Sequence, residues 1–493
     1  MSKFSNIIKL RNILYIFLTF RFLCAIVYCF MPINSPQNWR QTDTLGVALS
    51  YWIKWTHLSE FKTPWYLPSV LNSGNTDGVM PMEFPLLNFV AAPFFSLGAY
   101  EGKVLASLFA CCMVLILLFC NLKIWKNIKI YEIPAYESIL LFSCFSFSAP
   151  FFWRFMPDSI SVLFCLLAVG LTWKQKRFIP AFLFSTIGLL MKPTSVIVFA
   201  FFLADKNCFN RIKNFIWLIP SVSITYFFYT FGVAYISNYQ EIGGLFYIQK
   251  RPFFYSLYSF FLDYKQVLAN LNTYSLFNFG FVFAIFFLLF KIVKEKKVYF
   301  LTLWIIAIIQ YVTIAGLDGT HAFVHYYYMA GISFTMSFIA LGIWKNLDNK
   351  ILKLIAFFIF FKMYLSICMQ DALGINFSTF VRENILGKKV IYHENYIPKN
   401  VQNAPESDIA LKGDDSPYKT CAELKQRNPN FPWDKAYVFR STPTYYPSLG
   451  LCFGEREAAK KSEYGFFYKN TKIPDDCKIV DTINMIQLGI CKN

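Results

Sequence analysis

ILYIFLTFRFLCAIVYCFM, residues Ile13–Met31, is an apolar run broken only by Arg21 and preceded by Lys3, Lys9 and Arg11. Its length matches the about 20 residues that cross a bilayer as a helix. A secretory leader begins the same way, but its apolar region is about 7–15 residues and ends at a small-residue cleavage site. No such site follows Met31. The stretch therefore reads as an uncleaved membrane helix with a cytoplasmic N-terminus.

Ten further apolar runs lie at approximately 103–121, 134–151, 159–173, 178–191, 194–204, 214–233, 275–290, 298–316, 326–344 and 351–369. With the first they predict about eleven transmembrane helices. The run 194–204 is short, and Lys192-Pro193 separates it from its neighbour, so this pair is expected to be tilted or broken. Composition agrees: 56% of residues are apolar and only 15% charged, with 57 Phe and 30 Tyr. A soluble chain carries about 25% charged residues, and disordered chains are poor in aromatics. Both classes are excluded, leaving an α-helical polytopic membrane protein.

The positive-inside rule checks the span count. Counting from an inner N-terminus, the inner turns hold Lys123/Lys126/Lys129, Lys174/Lys176/Arg177, Lys206/Arg211/Lys213, Lys291/Lys294/Lys296/Lys297 and Lys345/Lys350/Lys353. A miscount would invert the alternation from that point on. The net charge of +18 is thus largely topology, and no clustered basic face of the kind that binds nucleic acid is present.

Three outer segments are long: about 32–102, about 234–274 and the tail. The expected domains are a membrane domain over 1–369 and a C-terminal extracytoplasmic domain over 370–493. The tail is polar, with strands expected at Lys435–Arg440 and Ile479–Leu488 and a short helix at Cys421–Arg427, which suggests a small α/β domain. Its four cysteines, Cys421, Cys452, Cys477 and Cys491, suggest two disulfides in an oxidising compartment. Three pairings are open; sequence proximity favours Cys421–Cys452 and Cys477–Cys491. Cysteines inside the apolar runs read as small hydrophobes.

Ionisable residues at the outer ends of the spans are the candidate site. Trp39-Arg40-Gln41-Thr42-Asp43-Thr44 opens the first outer loop. A helix at Leu45–Trp55 follows, with Leu45, Ala48, Leu49 and Trp52 on one face suited to the membrane surface. Asp43 there is a candidate base or a helix N-cap. Glu83-Phe84-Pro85-Leu86 precedes a half-buried helix running to Leu97. Trp153-Arg154-Phe155-Met156-Pro157-Asp158 puts Arg154 and Asp158 at the rim of an apolar bundle, where ionisable groups are costly and tend to be functional. Lys192 either snorkels to the interface or meets an anionic partner. Asp318-Gly319-Thr320-His321 with His325-Tyr326-Tyr327-Tyr328 combines an aromatic belt with two His four residues apart. Hydrogen bonding to a phosphate or sugar fits that pair better than a metal. All these groups fall on one side. A transporter would hold its polar groups near the midplane, whereas an enzyme working at the membrane surface would hold them at the rim. Carboxylates beside cations suit a base for an acceptor and a clamp for an anionic leaving group.

In these elements the sequence resembles the GT-C superfamily of integral-membrane glycosyltransferases. More narrowly, it resembles the bacterial branch of the dolichyl-phosphate-mannose protein mannosyltransferase family, which includes the aminoarabinose transferase acting on lipid A. The elements carrying the likeness are Trp39–Thr44, Glu83–Leu86, Met156-Pro157-Asp158, Lys192-Pro193 and His325-Tyr326-Tyr327, within about residues 10–345. The resemblance implies a polyprenyl-phosphate-linked sugar donor and transfer on the extracytoplasmic face, and a composition rich in Phe, Ile, Lys and Asn points to a bacterial inner membrane. It implies Asp43 and Asp158 as the catalytic acids and Lys192 as a contact to the donor phosphate. Arg40 and Arg154 are further phosphate-binding candidates, and Glu83, His321, His325 and Tyr327 are substrate-binding candidates. A divalent cation held by Asp43, Glu83 or Asp158 is left open. One departure is that Thr44 follows Asp43 where eukaryotic protein mannosyltransferases carry an Asp-Glu pair, so nothing singles out protein among lipid, glycan and protein acceptors. The alternatives are a lipid-linked polysaccharide ligase or polymerase, and a lipid-linked sugar transporter or flippase.

Overall fold

The computed structural model describes residues 10–30, 41, 44–48, 51–52, 83–97, 99–145, 152–205, 207–232, 254, 257–258, 299–318, 330–346, 350–373, 427–430, 437–438, 464–468, 477–483 and 486–491. The described residues are mostly helical. Among the described residues, four helices are long and apolar enough to cross a membrane: Leu10–Cys29, Glu101–Trp125, Phe209–Gly232 and Lys350–Met369. Shorter apolar helices of 10–17 residues accompany them. The expected run 275–290 lies outside the described residues.

The chain divides into two compact units, Met1–Ile26 with Ala110–Asp371, and Val27–Phe109 with Ala372–Asn493. The first contains most of α1 (Leu10–Cys29), the C-terminal part of α3 (Ala99–Trp125), and α4 (Ala135–Phe145), α5 (Pro157–Gly170), α6 (Phe178–Met191), α7 (Cys208–Phe227), α8 (Tyr299–Asp318), α9 (Ala330–Asn346) and nearly all of α10 (Lys350–Leu373). Helix α5 is its centre. All fourteen residues from Pro157 to Gly170 are buried, as expected of a helix that is apolar on every side.

Two small-residue contacts seat α5. A Cβ on Gly170 would lie 2.6 Å from the Trp125 indole nitrogen, and one on Gly188 would lie 2.8 Å from Cys165 Sγ and 2.9 Å from the Ser161 carbonyl. Glycine at these points lets α3 and α6 close onto α5. Trp125 Nε1 donates to the Leu166 carbonyl at 3.2 Å and Asn121 Nδ2 to the Leu163 carbonyl at 3.0 Å, so α3 and α5 run parallel.

The two ends of this unit differ. Trp125 and Gly170 mark the end that carries Lys123, Lys126, Lys129, Lys176 and Arg177. Asp158 and Lys192 lie at the other end of the α5–α6 hairpin. Between α3 and α4 two short strands, β1 (Lys129–Ile130) and β2 (Ile133–Pro134), pair Lys129 with Pro134 and Ile130 with Ile133. Tyr131 and Glu132 turn that corner at φ of 50° and 67°, a left-handed conformation unusual outside glycine and asparagine.

The expected helix pair 178–191 and 194–204 is broken, with a twelve-residue 3₁₀ segment, Pro193–Ala204, following Lys192. Proline at the first position removes an α-helical donor, and fourteen residues of α6 reach only about 21 Å. The 3₁₀ segment is held by Gln310 Nε2, which donates to the Ile197 carbonyl at 2.9 Å. Gly331 allows close packing on it, since a Cβ there would meet Ile197 Cγ1 at 2.7 Å.

In the second unit, residues 44–48 and 51–52 are helical. Leu45 and Ala48 are buried as expected, and Val47 and Tyr51 are buried too, packing with Ala92 and Trp52. Burial thus covers more than the single face read from the sequence. Helix α2 (Leu86–Ala91) continues as a 3₁₀ turn over Ala92–Leu97. Asn88 Nδ2 ties it to the Thr44 carbonyl at 2.6 Å.

Also in this unit is a four-stranded sheet, in the order β3 (Tyr437–Val438), β4 (Tyr464–Tyr468), β6 (Ile486–Cys491), β5 (Cys477–Ile483). The stretch Ile479–Leu488, expected as one strand, belongs to two antiparallel strands in which Ile483 pairs with Ile486. No glycine turn signal marks that reversal in the sequence. Strand β4 was not expected. Of the expected helix Cys421–Arg427, only Arg427 is described, and it is helical.

Candidate functional site

Lys192 sits where α6 stops. Its backbone is extended, at φ −154° and ψ 101°, between the last α-helical turn and the 3₁₀ segment. The carbonyls that α6 leaves unpaired at this end are answered from neighbouring elements. The Gly188 carbonyl accepts the Lys192 N–H at 3.0 Å and the Ser161 hydroxyl at 2.6 Å. The Leu190 carbonyl accepts the Tyr229 hydroxyl at 2.7 Å. The Lys192 carbonyl accepts the Ser195 N–H at 3.0 Å, and Ser161 Oγ lies 2.7 Å from Ser195 Oγ. The break is therefore a built feature, its Gly188, Leu190 and Lys192 carbonyls each holding a donor.

Asp158 occupies the first turn of α5, after Pro157 at its start. Proline there is preorganised for a helix, and a carboxylate in the first turn complements the helix dipole. Lys192 Nζ is 3.6 Å from Asp158 Oδ1. The two residues are 4% and 2% exposed. A charge pair this deep is costly to desolvate, and in an apolar bundle such pairs mark function more often than scaffolding. The snorkelling reading of Lys192 is corrected: its ammonium is enclosed beside a carboxylate.

Arg154 is also buried, at 3% exposed, one turn of chain before Asp158. The Trp153-Arg154 approach is fixed by Cys111 Sγ, which contacts the Trp153 carbonyl at 3.1 Å, and by Phe22, whose ring meets Trp153 edge-on at 5.4 Å. One anion and three buried polar features, Lys192, Arg154 and the α5 N-terminus, thus share one end of the bundle. That arrangement can hold a negatively charged group, with Asp158 orienting the ammonium.

Of the other expected site residues, Glu83 is half-buried just before α2, in the second unit. Asp43, Arg40, His321, His325 and Tyr327 lie outside the described residues, as do Cys421 and Cys452. Cys477 and Cys491 are direct partners across the β5–β6 ladder. Among the described residues no three His, Cys, Asp or Glu side chains gather as a metal would need.

Sequence reading overlooked Ser161, Ser195 and Gly188. The signal was present: Ser161 is three residues after Asp158 and Ser195 three after Lys192, so each lies a helical turn from its charged residue. Arg21 interrupts the first apolar run. It is fully buried, donates to the Ser143 carbonyl in the last turn of α4, and lies 5.4 Å from the centre of the Phe152 ring. Closing a helix C-terminus in this way is a structural role for a buried cation.

Comparison with family models, curated proteins and solved structures returned no match for this chain.

Proposed function

We propose that the chain is a membrane glycosyltransferase that moves a sugar from a polyprenyl-phosphate donor to a lipid, glycan or protein acceptor on the extracytoplasmic face of a bacterial inner membrane. The observation that carries this reading is the enclosed Asp158–Lys192 pair at a helix break, at the end of the α5–α6 hairpin opposite the lysine-rich turn. An intramembrane cation fixed at a rim suits a monophosphate whose lipid tail stays in the bilayer. The likeness of Trp39–Thr44, Met156–Asp158 and Lys192-Pro193 to GT-C enzymes supports the same reading.

In this mechanism Lys192, with Arg154 and Arg40, binds the donor phosphate. As the bond between the sugar C1 and the phosphate oxygen breaks, negative charge grows on that oxygen. Fixed cations in a poorly hydrated site stabilise it more than water would. The acceptor oxygen bonds to C1 from the opposite face and passes its proton to Asp43. One base opposite the leaving group gives inversion, with no carboxylate nucleophile of the retaining kind. Asp158 holds Lys192 toward the phosphate. Glu83, His321, His325 and Tyr327 are assigned to sugar and acceptor hydroxyls.

The test uses purified full-length protein in detergent with synthetic polyprenyl-phosphate sugars. Release of polyprenyl phosphate that depends on acceptor and on Lys192 supports the proposal. Use of diphosphate donors only would shift it to the ligase or polymerase alternative.

A further inference from the structure

The lysine-rich end of the first unit contains a cavity of about 450 Å³ lined by Leu10, Arg11, Glu137, Trp344, Lys345 and Lys353. It lies between the starts of α1, α4 and α10 and the end of α9. Three cations and one carboxylate line it. Lys345 Nζ is 3.1 Å from Glu137 Oε2, both side chains part-exposed. Arg11 and Lys353 then supply the positive excess. Topology alone asks for basic residues at this end, but it does not ask for them to face one cavity across four helices, where they repel one another.

We propose that this cavity binds the phosphate headgroup of an anionic phospholipid. Two observations favour a lipid over a soluble phosphate. The helices framing the cavity carry exposed apolar side chains along their length: Ile16 and Phe20 on α1, and Ile351, Leu354 and Phe358 on α10. Those two helices also lean on each other, with the Phe17 and Tyr364 rings stacked at 4.1 Å. A headgroup in the cavity thus sits at the basic ends of two helices whose length offers apolar surface to acyl chains. Trp344 on the lining suits the headgroup level, where indole rings collect. Basic pockets between helices at this face are suited to anionic headgroups. The site is separate from Asp158 and Lys192, and it stands whether or not the chain transfers sugar.

The test is native mass spectrometry of the full-length protein in neutral detergent, titrated separately with phosphatidylglycerol, phosphatidylcholine and inorganic phosphate. The expected result is retention of phosphatidylglycerol over phosphatidylcholine, and no matching retention of inorganic phosphate. Each removed cation should weaken binding roughly fivefold, so Arg11→Gln with Lys353→Gln loses on the order of 25-fold. Glu137→Gln, which frees Lys345, should strengthen binding, and Lys353→Arg should preserve it. These last two keep the test decisive if the double variant does not fold. Equal retention of both lipids, an unchanged preference in the double variant, weaker binding in Glu137→Gln, or inorganic phosphate binding as well as the lipid would each overturn the proposal.

Discussion

Replacing Lys192 by Met while Asp158 stays would leave a carboxylate enclosed in an apolar bundle. At 3.6 Å the pair attracts by about 5 kcal/mol at an effective dielectric of about 20. Desolvation offsets much of this, so the informative quantity is the coupling. Removing one partner of a buried pair costs about 3–5 kcal/mol, whereas replacing both by apolar groups is near neutral. Lys192→Met and Asp158→Leu should each lower the Tm in detergent by about 3–5 °C, given about 1 °C per kcal/mol for a chain of 493 residues. The double variant should recover most of that loss. The assay is thermal unfolding of the four proteins followed by intrinsic fluorescence, with donor turnover measured in parallel. The charge swap, Asp158→Lys with Lys192→Asp, separates scaffold from site. It should regain stability without regaining donor use. Single variants as stable as the parent, or a double variant showing the sum of both losses, would refute the enclosed pair. A swap that restored transfer would refute its role in binding the donor.

Other outcomes follow from the same geometry. Asp43→Asn should abolish transfer without changing expression or membrane insertion, as read by donor turnover beside a fluorescence-detected size profile. Ser161→Ala removes the hydroxyl at the Gly188 carbonyl and Ser195 Oγ; it should cost about 1 kcal/mol of stability and raise the donor KM more than the acceptor KM. Gly188→Ala drives a Cβ against Cys165 Sγ and the Ser161 carbonyl, and overpacking of this kind costs about 1–3 kcal/mol, measurable as a lower Tm. Gln310→Leu strips the donor from the buried Ile197 carbonyl and should destabilise by about 1–3 kcal/mol.

The periodicity of apolar runs located the described helices well because burial in a helical bundle demands long uninterrupted apolar stretches. The break at Lys192-Pro193 was legible for a local reason: proline stops a helix and lysine is costly in apolar surroundings. That Asp158 answers Lys192 was not legible. The two residues are 34 positions apart, and only the closeness of α5 and α6 at Gly188 brings them together. The cavity around Arg11, Glu137, Lys345 and Lys353 was hidden likewise, since Arg11, Lys345 and Lys353 each read as a positive-inside charge. In the tail, Ile479–Leu488 alternates well enough to pass as a single strand. What divides it is the pairing of Ile483 with Ile486, and pairing leaves no mark on one strand's own pattern. The hydroxyls of Ser161 and Ser195 were missed because serine in an apolar helix ordinarily back-bonds within its own helix. Here they reach across the α5–α6 seam instead.

The most direct test of the account is the fate of a radiolabelled sugar on a polyprenyl-monophosphate donor given to the purified protein in detergent micelles, where no compartment exists to transport into. The account predicts that label leaves the lipid for an acceptor as free polyprenyl phosphate accumulates, and that Lys192→Ala slows this at low donor concentration. A donor that stays intact in micelles, while the same protein in sealed vesicles carries it from one leaflet to the other, would contradict it.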